Sequence, residues 1–344
     1  MRYSILRPLL FALPPETAHA LTLGALQLTG RLPRCEPPPP PPPVILAGLT
    51  FPNRVGLAAG FDKSGVAVDG IGRLGFGFLE IGTVTPKAQP GNPSPRVFRL
   101  PRSRALINRL GFPNDGADFV AARLRRRRYR GVLGVNIGKN AATPNERAVD
   151  DYLQCFETLH SVVGYIAVNV SSPNTANLRD LQQADHLGPI LEALVEARAR
   201  VEKTEGRRIP LFVKISPDLD GGDIAEMAGV IDALGLDGVI ATNTTIGRDT
   251  ITDEPLASEP GGLSGAPLLP LTLATIRRVR SALPRTTIIG CGGILTGGAA
   301  VEMRRAGADL VQIYTGLVYR GPRLVAEAAT ALAVADQRPG HSSI

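Results

Sequence analysis

The sequence predicts an α/β protein, a (β/α)8 TIM barrel preceded by a small N-terminal two-helix membrane-associating extension. From residue 55 onward, short apolar runs alternate with segments whose apolar residues recur at the helical period, as in Leu187, Ile190, Leu191 and Leu194. This alternation is typical of parallel strands joined by crossover helices. With 344 residues, of which 44% are hydrophobic, the chain is long enough for one barrel and a small appendage.

Eight apolar runs are predicted to be the barrel strands, and most of them stop at polar side chains. They are residues 55–59, 78–84, 132–137, 165–170, 211–215, 238–242, 287–290 and 310–314. In this fold the active site lies at the carboxyl ends of the strands. The polar residues at those ends, such as Asn136, Lys214 and Ser172, are therefore expected to face one pocket.

Residues 1–36 are predicted to form an extension of two apolar segments that are separated by Pro14-Pro15. Neither segment reaches the roughly 18 to 20 residues needed to span a bilayer. A signal peptide is an alternative, because residues 18–20 resemble a cleavage site, but Arg7-Pro8 leaves too short an apolar region. We expect two helices lying in a membrane interface, with a plain helical cap on the barrel as the competing interpretation.

Residues 37–43 are consecutive prolines, which predict a stiff polyproline II linker in preference to an SH3 ligand. The barrel domain is predicted at residues 44–335 and a C-terminal tail at 336–344. Within the barrel, residues 85–112 are too long for an ordinary βα loop. Their apolar run at residues 97–100 predicts a small hairpin over the barrel mouth.

The chain is basic, with a formal net charge of +7 and a pI near 9.7, which favours anionic partners. Much of the excess is local: arginines crowd the end of one predicted helix, at Arg123, Arg125, Arg126, Arg127, Arg128 and Arg130. Only Tyr129 interleaves with them, so a solvated face is preferred to a nucleic-acid or phospholipid patch. No nucleic-acid partner is predicted.

Cysteine and histidine usage gives no sign of a metal site. Cys35, Cys155 and Cys291 lie far apart and outside any metal-ligand spacing. The pattern indicates a reducing compartment and predicts no metal.

Lys214 ends an apolar strand, where its burial would be costly without an anion beside it. It could stabilise negative charge on an electron-rich ring or form a Schiff base, as in barrel aldolases. A structural salt bridge to Asp218 or another carboxylate is the third interpretation.

Amides and glycines gather at the same strand ends. Several asparagine side chains around one pocket suit a flat ligand with imide and carboxylate groups, because each carboxamide offers two donors and one acceptor. Gly292-Gly293 and Thr315-Gly316 follow the last two strands, where this fold usually binds phosphate. The amides are Asn108, Asn136, Asn169, Asn174 and Asn243.

Ser172 is the candidate proton acceptor, with Thr175 and a water as its relay. A serine hydroxyl is a weak base, so its own proton must leave as it accepts another. No histidine accompanies it in the sequence, which argues against a hydrolase triad.

Several motifs together resemble one family, the membrane-associated, quinone-linked class 2 dihydroorotate dehydrogenases. The resemblance covers about residues 3 to 325. The motifs are Ala59-Gly60-Phe61-Asp62-Lys63, Gly82-Thr83-Val84-Thr85-Pro86, Asn108-Arg109-Leu110-Gly111-Phe112, Asn136-Ile137-Gly138-Lys139-Asn140, Ser171-Ser172-Pro173-Asn174-Thr175, Asn243-Thr244-Thr245, Gly262-Leu263-Ser264-Gly265 and Gln312-Ile313-Tyr314-Thr315-Gly316.

The resemblance implies FMN in the barrel and oxidation of dihydroorotate to orotate in pyrimidine synthesis. It implies catalytic roles for Ser172, Thr175, Phe112 and Lys214. FMN would be held by Ala59, Gly60, Phe61, Asp62, Lys63, Thr83, Asn136, Asn169, Lys214, Thr242, Gly265, Gly293, Tyr314 and Thr315. The substrate would be held by Lys63, Asn108, Arg109, Leu110, Gly111, Phe112, Asn169, Asn174, Asn243 and Thr244.

The same resemblance gives the N-terminal extension a purpose. His19, Arg99 and Tyr314 would line a tunnel that leads a quinone to the flavin. The implied protein is a monomer or weak oligomer, bound peripherally to the cytoplasmic side of the cell membrane. A Schiff-base lyase using Lys214 and a soluble dihydroorotate dehydrogenase linked to fumarate or NAD are the alternatives; the soluble class 1 enzymes use cysteine as the base.

Overall fold

The computed structural model describes residues 3–32, 43–175, 178–251 and 253–337. Its strands are β1 (Val44–Leu46), β2 (Leu49–Phe51), β3 (Val55–Leu57), β4 (Phe78–Val84), β5 (Val97–Leu100), β6 (Ala105–Asn108), β7 (Val132–Ile137), β8 (Tyr165–Asn169), β9 (Leu211–Ile215), β10 (Gly238–Ala241), β11 (Gly262–Gly265), β12 (Thr287–Cys291) and β13 (Leu310–Ile313). Its α-helices are α1 (Tyr3–Ala12), α2 (Pro15–Thr29), α3 (Val68–Ile71), α4 (Ala117–Arg125), α5 (Ala148–Leu159), α6 (Ala184–Glu205), α7 (Gly221–Ala233), α8 (Leu269–Ala282), α9 (Gly297–Ala306), α10 (Thr315–Arg320) and α11 (Arg323–Gln337).

The predicted barrel is confirmed. Strands β3, β4, β7, β8, β9, β10, β12 and β13 pair in that order, and β13 pairs with β3 to close the ring. All of these pairings are parallel. Because helices cover the outer face, both faces of each strand are buried, and this is why the strands appear in the sequence as nearly continuous apolar runs.

Aromatic side chains fill the lower barrel interior. Phe78 contacts Tyr165 with 6.5 Å between ring centroids, and Tyr165 contacts Phe212 at 5.2 Å, both edge to face. The antiparallel hairpin of β1 and β2, which the sequence did not predict, places Phe51 against Phe78 at 5.3 Å. The hairpin therefore adds Phe51 to the packing of the barrel interior.

A three-stranded antiparallel sheet of β5, β6 and β11 lies at the carboxyl ends of the barrel strands. The predicted hairpin at residues 97–100 is confirmed as β5 paired with β6. Strand β11 adds to β6 and was not predicted. This sheet brings Asn108 and Gly262 into register, so two distant loops meet above the barrel.

Helices α1 and α2 pack against the barrel through specific contacts. The Tyr3 hydroxyl donates to the Val318 carbonyl at 2.6 Å, and Arg96 pairs with Glu16 at 2.8 Å. Their exposed surface includes large apolar side chains at Ile5, Leu9, Leu21 and Leu28. None of the helices in the described ranges is long and apolar enough to cross a membrane. The polyproline linker, apart from Pro43, and most of the predicted tail lie outside the described residues.

Candidate active site

A polar pocket opens at the carboxyl ends of the barrel strands, beneath the three-stranded sheet. It collects predicted residues from every part of the barrel and confirms that the polar strand ends converge. Those lining it are Ala59, Gly60, Lys63, Thr83, Asn108, Leu110, Gly111, Phe112, Asn169, Ser172, Asn174, Lys214, Thr242, Asn243, Thr244, Gly265, Gly293, Tyr314 and Thr315.

Ser172 lies just beyond β8 and is only 5% exposed. Its Oγ accepts a hydrogen bond from the Asn174 backbone N–H at 3.2 Å. Within the described ranges, no histidine or carboxylate is hydrogen-bonded to this hydroxyl. The serine therefore lacks the partner that a hydrolase triad requires.

A chain of hydrogen-bonded amides crosses the pocket floor. Asn136 Oδ1 accepts from Thr83 Oγ1 at 2.6 Å and from Asn169 Nδ2 at 2.9 Å. Asn169 Oδ1 in turn accepts from Asn243 Nδ2 at 3.2 Å. Because each amide is held by its neighbour, the floor presents donors and acceptors in fixed positions.

Lys214 ends β9 inside the pocket and is 5% exposed. The proposed structural salt bridge to Asp218 is wrong, because Asp218 pairs instead with Arg179 at 2.8 Å. Among the described residues, Lys214 has no ion-pair partner. A buried ammonium without a protein counter-ion points to an anionic or electron-rich ligand in the pocket.

Asn174 offers the pocket an unused acceptor. Its Nδ2 donates to Asn108 Oδ1 at 3.1 Å. Its Oδ1 is buried and has no hydrogen-bond partner among the described residues. A ligand that places an N–H at this atom would satisfy it.

Glycines bring the loops after β12 and β13 close together. A Cβ at Gly316 would stand 2.0 Å from the Ile294 carbonyl oxygen, and one at Gly293, where φ is +83°, would stand 2.5 Å from Leu269 Cβ. Thr315 Oγ1 lies 2.8 Å from Ser264 Oγ, joining the β11 loop to the same place. Backbone N–H groups and hydroxyls therefore meet at the position where barrels of this kind bind phosphate.

Phe112 is held over the pocket in an unusual backbone conformation. Its φ is +53°, directly after Gly111 at +69°. Non-glycine residues seldom adopt the left-handed region, and those that do cluster at functional sites. A Cβ at Gly138 would lie 3.3 Å from the Phe112 ring, so this glycine lets the ring pack closely.

Five of the residues predicted to act in catalysis or to bind cofactor or substrate do not line the pocket. Asn136 lies beneath it, and Thr175 lies outside its wall. Arg109 pairs with Glu259 at 2.7 Å, and Asp62 accepts from the Val66 and Ala67 backbone N–H groups, the latter at 2.8 Å. Phe61 belongs to a neighbouring cavity.

Other lining residues were missed by sequence analysis. Gln312 is the most informative, because it is a polar residue inside an apolar strand, two positions before Tyr314 and therefore on the same face. Period-2 alternation was the signal that could have found it. The missed residues are Ala58, Val97, Leu106, Ser264, Leu268, Cys291, Ile294 and Gln312.

A family model described as dihydroorotate dehydrogenase matches residues 43–334 of the chain, which is nearly the whole barrel. The chain belongs to the dihydroorotate dehydrogenase family. A protein of Chromobacterium violaceum named dihydroorotate dehydrogenase (quinone) is 53% identical over 337 residues, which cover 97% of this chain and 98% of the relative. A protein of the same name from Pseudomonas aeruginosa strain PAO1 is 51% identical over 340 residues, covering 98% and 99%.

Solved structures agree with this assignment. The crystal structure of ligand-free DHODH from Eimeria tenella superposes with a TM-score of 0.86 at 40% identity, covering 96% of this chain and 97% of that one. The crystal structure of DHODH from the same organism in complex with ferulenol also gives 0.86 and 40%, covering 92% and 90%. The resemblance to the quinone-linked class of the dihydroorotate dehydrogenase family is confirmed.

In this family member, a second, mainly apolar cavity of about 790 Å³ lies between the helix pair and the barrel. His19, Arg99 and Tyr314 line it. Phe61 stands between two of these residues, with its ring 5.2 Å from His19 and 5.8 Å from Tyr314. Burial, with Lys63 nearby, lowers the pKa of His19 to about 4, so the imidazole is neutral at physiological pH.

The polar pocket and the apolar cavity share a wall. Its residues are Lys63, Val97, Leu106, Leu110 and Tyr314. Lys63 Nζ donates to the Gly60 carbonyl at 2.7 Å, and burial lowers its pKa to about 8. Below that pH the Lys63 amine is mostly protonated, and the resulting ammonium can attract a carboxylate into the pocket.

Proposed function

We propose that this chain oxidises (S)-dihydroorotate to orotate in de novo pyrimidine synthesis and passes the electrons to a membrane quinone. The observation that carries the proposal is the shared wall between the two cavities. One cavity has the charges and amides that a polar pyrimidine needs, and the other has an apolar lining that suits a quinone. Side chains such as Tyr314 contact both, so the two sites are separated by a single layer of residues.

FMN fits the barrel pocket. The unpartnered acceptors of Asn174 and Gln312, together with the ammonium of Lys214, suit ligands that carry both N–H donors and developing negative charge. The glycine loops at Gly265, Gly293 and Thr315 suit its phosphate. When bound, FMN supplies the acceptor for the hydride from C6 of dihydroorotate and the electron carrier to the quinone.

The residues of the chain have separate tasks around that chemistry. Ser172 removes the proton from C5, and its own proton leaves through a relay for which Thr175 and water are proposed. Asn108 and Asn174 hold the pyrimidine, Phe112 covers it, and Lys63 attracts its carboxylate. Lys214 would stabilise the negative charge that the cofactor gains when it takes the hydride from the substrate.

The apolar cavity is proposed as the quinone tunnel. Arg99 has a mainly structural part in it, because its guanidinium donates to the Leu13 carbonyl at 2.7 Å and to the Phe11 carbonyl at 3.2 Å. It thereby fixes the end of α1 against the barrel. A neutral His19 and the Tyr314 hydroxyl, whose pKa burial raises to about 12, are the polar groups proposed to meet the quinone head.

The proposed function is tested by the visible spectrum of the purified protein. We expect bound FMN, bleaching of its absorbance by dihydroorotate without oxygen, and rapid reoxidation by a soluble quinone analogue. Fumarate and NAD, added in parallel, should reoxidise it poorly. A colourless protein that takes up no flavin would refute the proposal, and preferential reoxidation by fumarate or NAD would place the chain in a soluble class. Trapping of a carbonyl substrate by borohydride would support the Schiff-base alternative.

The proposal includes peripheral binding to the cytoplasmic side of the cell membrane. The exposed leucines of α2 would form the apolar part of the membrane-binding surface. The arginine cluster adjoins them, since Arg128 Nη2 donates to the Gly30 carbonyl at 2.5 Å at the end of that helix. Arg125 and Arg126 are exposed and, within the described ranges, have no ion-pair partner. In place of the solvated face that the sequence favoured, we propose that these arginines attract anionic headgroups.

Vesicle binding should therefore depend on both lipid charge and salt. The double variant Arg125→Glu/Arg126→Glu should bind vesicles containing anionic lipid about tenfold or more weakly, because each arginine near such a surface contributes roughly 1 kcal/mol. Sedimentation with neutral and anionic vesicles measures this. Arg277→Glu/Arg278→Glu, an exposed pair on α8, is the matched control and should bind like the parent. Equal losses in both variants would show a general charge effect and remove the role of the cluster.

A further inference from the structure

Glu80 is a buried carboxylate inside the barrel. It lies on β4 below the pocket and is 0% exposed. Within the described ranges, no lysine, arginine or histidine forms an ion pair with it. An ionised carboxylate in such a place is costly unless hydrogen bonds compensate it.

Three donors from three different strands compensate this carboxylate. Asn136 Nδ2 donates to Oε1 at 3.0 Å, while the Tyr165 hydroxyl and Gln312 Nε2 donate to Oε2 at 2.8 and 2.7 Å. Burial, with the adjacent Glu80 charge, raises the pKa of Tyr165, so this hydroxyl keeps its proton. Glu80 is thus the common acceptor for β7, β8 and β13.

This arrangement fixes which way the amides above it point. A carboxylate only accepts, so Asn136 must turn its NH2 towards Glu80 and its oxygen towards the pocket floor. That oxygen accepts from Asn169, whose own oxygen accepts from Asn243. One anion therefore sets the direction of a hydrogen-bond chain that ends in the pocket.

The same argument applies to Gln312. Because its NH2 faces Glu80, its Oε1 is left as an acceptor, and this atom is buried with no partner among the described residues. The side chain lines the pocket. An acceptor held in this orientation is available to a donor of the bound ligand.

We infer that Glu80 is a positioning residue for the flavin site, acting through Asn136 and Gln312, and that Gln312 Oε1 accepts a hydrogen bond from the bound cofactor. The inference rests on the proposed function, because it requires FMN in the barrel pocket. It adds two residues that the sequence motifs did not assign to the cofactor.

As a carboxylate, Glu80 would place a negative charge below the pocket, whereas the Lys214 ammonium would place a positive charge within it. The Cys291 thiol, which also lines the pocket, senses both charges. Burial raises its pKa, the charge of Lys214 lowers that pKa and the charge of Glu80 raises it. Since flavin reduction adds negative charge, Glu80 should hold the reduction potential down while Lys214 holds it up. A residue with a purely structural role would leave the potential unchanged.

The test is Glu80→Gln, which keeps the shape but replaces one acceptor oxygen by a donor. Apoprotein is titrated with FMN and followed by flavin fluorescence, and the midpoint potential of the reconstituted protein is measured. We expect FMN affinity to fall about tenfold or more, since a mispaired buried amide weakens the oriented chain. We also expect the potential to become more positive. Glu254→Gln is the matched control: Glu254 is also buried, accepts from the Ser103 backbone N–H at 2.5 Å, and lies outside the pocket.

A second variant protects the test against misfolding. Gln312→Met keeps the size of the side chain but removes both its acceptor and its donor to Glu80, and it should also weaken FMN binding about tenfold. Unchanged affinity in Gln312→Met, or an unchanged potential in Glu80→Gln, would overturn the inference while the parent protein still binds and reduces FMN. Failure of the parent protein itself to bind FMN would instead refute the proposed function.

Discussion

Replacing Ser172 with alanine is expected to slow reduction of the bound flavin by dihydroorotate about 100- to 10,000-fold, the range typical of losing a positioned general base. The hydroxyl is nearly buried and is oriented by the Asn174 backbone N–H. Among the described residues that line the pocket there is no histidine or carboxylate that could take its place as the base. Anaerobic stopped-flow measurement of flavin bleaching gives the rate directly.

The expected loss is specific to the proton transfer. FMN should stay bound with an unchanged spectrum, because the phosphate loops and the amide chain do not involve Ser172. Ser216→Ala, at a buried serine beyond β9 and outside the pocket, is the matched control and should react like the parent. Flavin reduction at the parent rate in Ser172→Ala would identify another group as the base.

Cysteine at the same position gives an independent check of the role. A thiol has a pKa near 8.5, far below that of a serine hydroxyl. Ser172→Cys should therefore recover part of the rate that alanine loses, and its rate should rise with pH through the region of the thiol pKa. A rate equal to that of the alanine variant at every pH would argue that the oxygen only orients the substrate.

The barrel was predictable from the sequence because parallel strands are buried on both faces. Each of the eight barrel strands appears as an apolar run, and the structure shifts their ends by one or two residues at most. The short β1–β2 hairpin and β11 were missed for the opposite reason. Gly262–Gly265 contains two glycines and a serine, and it becomes a strand only because β6 offers it an edge to pair with.

Site residues were predictable where they lie at strand ends. They were unpredictable where loop conformation determines which side chains come into contact. Asn169 and Lys214 lie on strands whose register fixes them, and Ser172 follows three residues after β8, so all three line the pocket. The salt bridge between Lys214 and Asp218, one of three interpretations, was wrong because the sequence does not show that Arg179 comes within 2.8 Å of Asp218. Glu80 and Gln312 were overlooked because each lies within a mainly apolar strand and not at its end, and only the closed barrel brings them together.

Narrowing the apolar cavity is expected to uncouple the two half-reactions. Ala18 lies on α2, is 5% exposed and lines the cavity between the helix pair and the barrel. In Ala18→Phe the added ring should occupy space that the quinone needs. The barrel pocket should be unaffected, because Ala18 does not line it. Reoxidation by a quinone analogue should slow about tenfold or more, a typical cost of misfit in an apolar site. Flavin reduction by dihydroorotate should stay at the parent rate.

The same stopped-flow instrument separates this effect from damage to the protein. Ferricyanide, a small hydrophilic acceptor, should reoxidise Ala18→Phe as fast as the parent, and Ala12→Phe, at an exposed position of α1 outside the cavity, should behave normally with both acceptors. Deleting residues 1–32 should give the same pattern more severely, with flavin reduction retained and efficient quinone turnover lost. The quinone is proposed to reach the flavin only past α2 and Tyr314. If Ala18→Phe and the protein lacking residues 1–32 both turned over quinone as fast as the parent, the quinone would have to enter by another route.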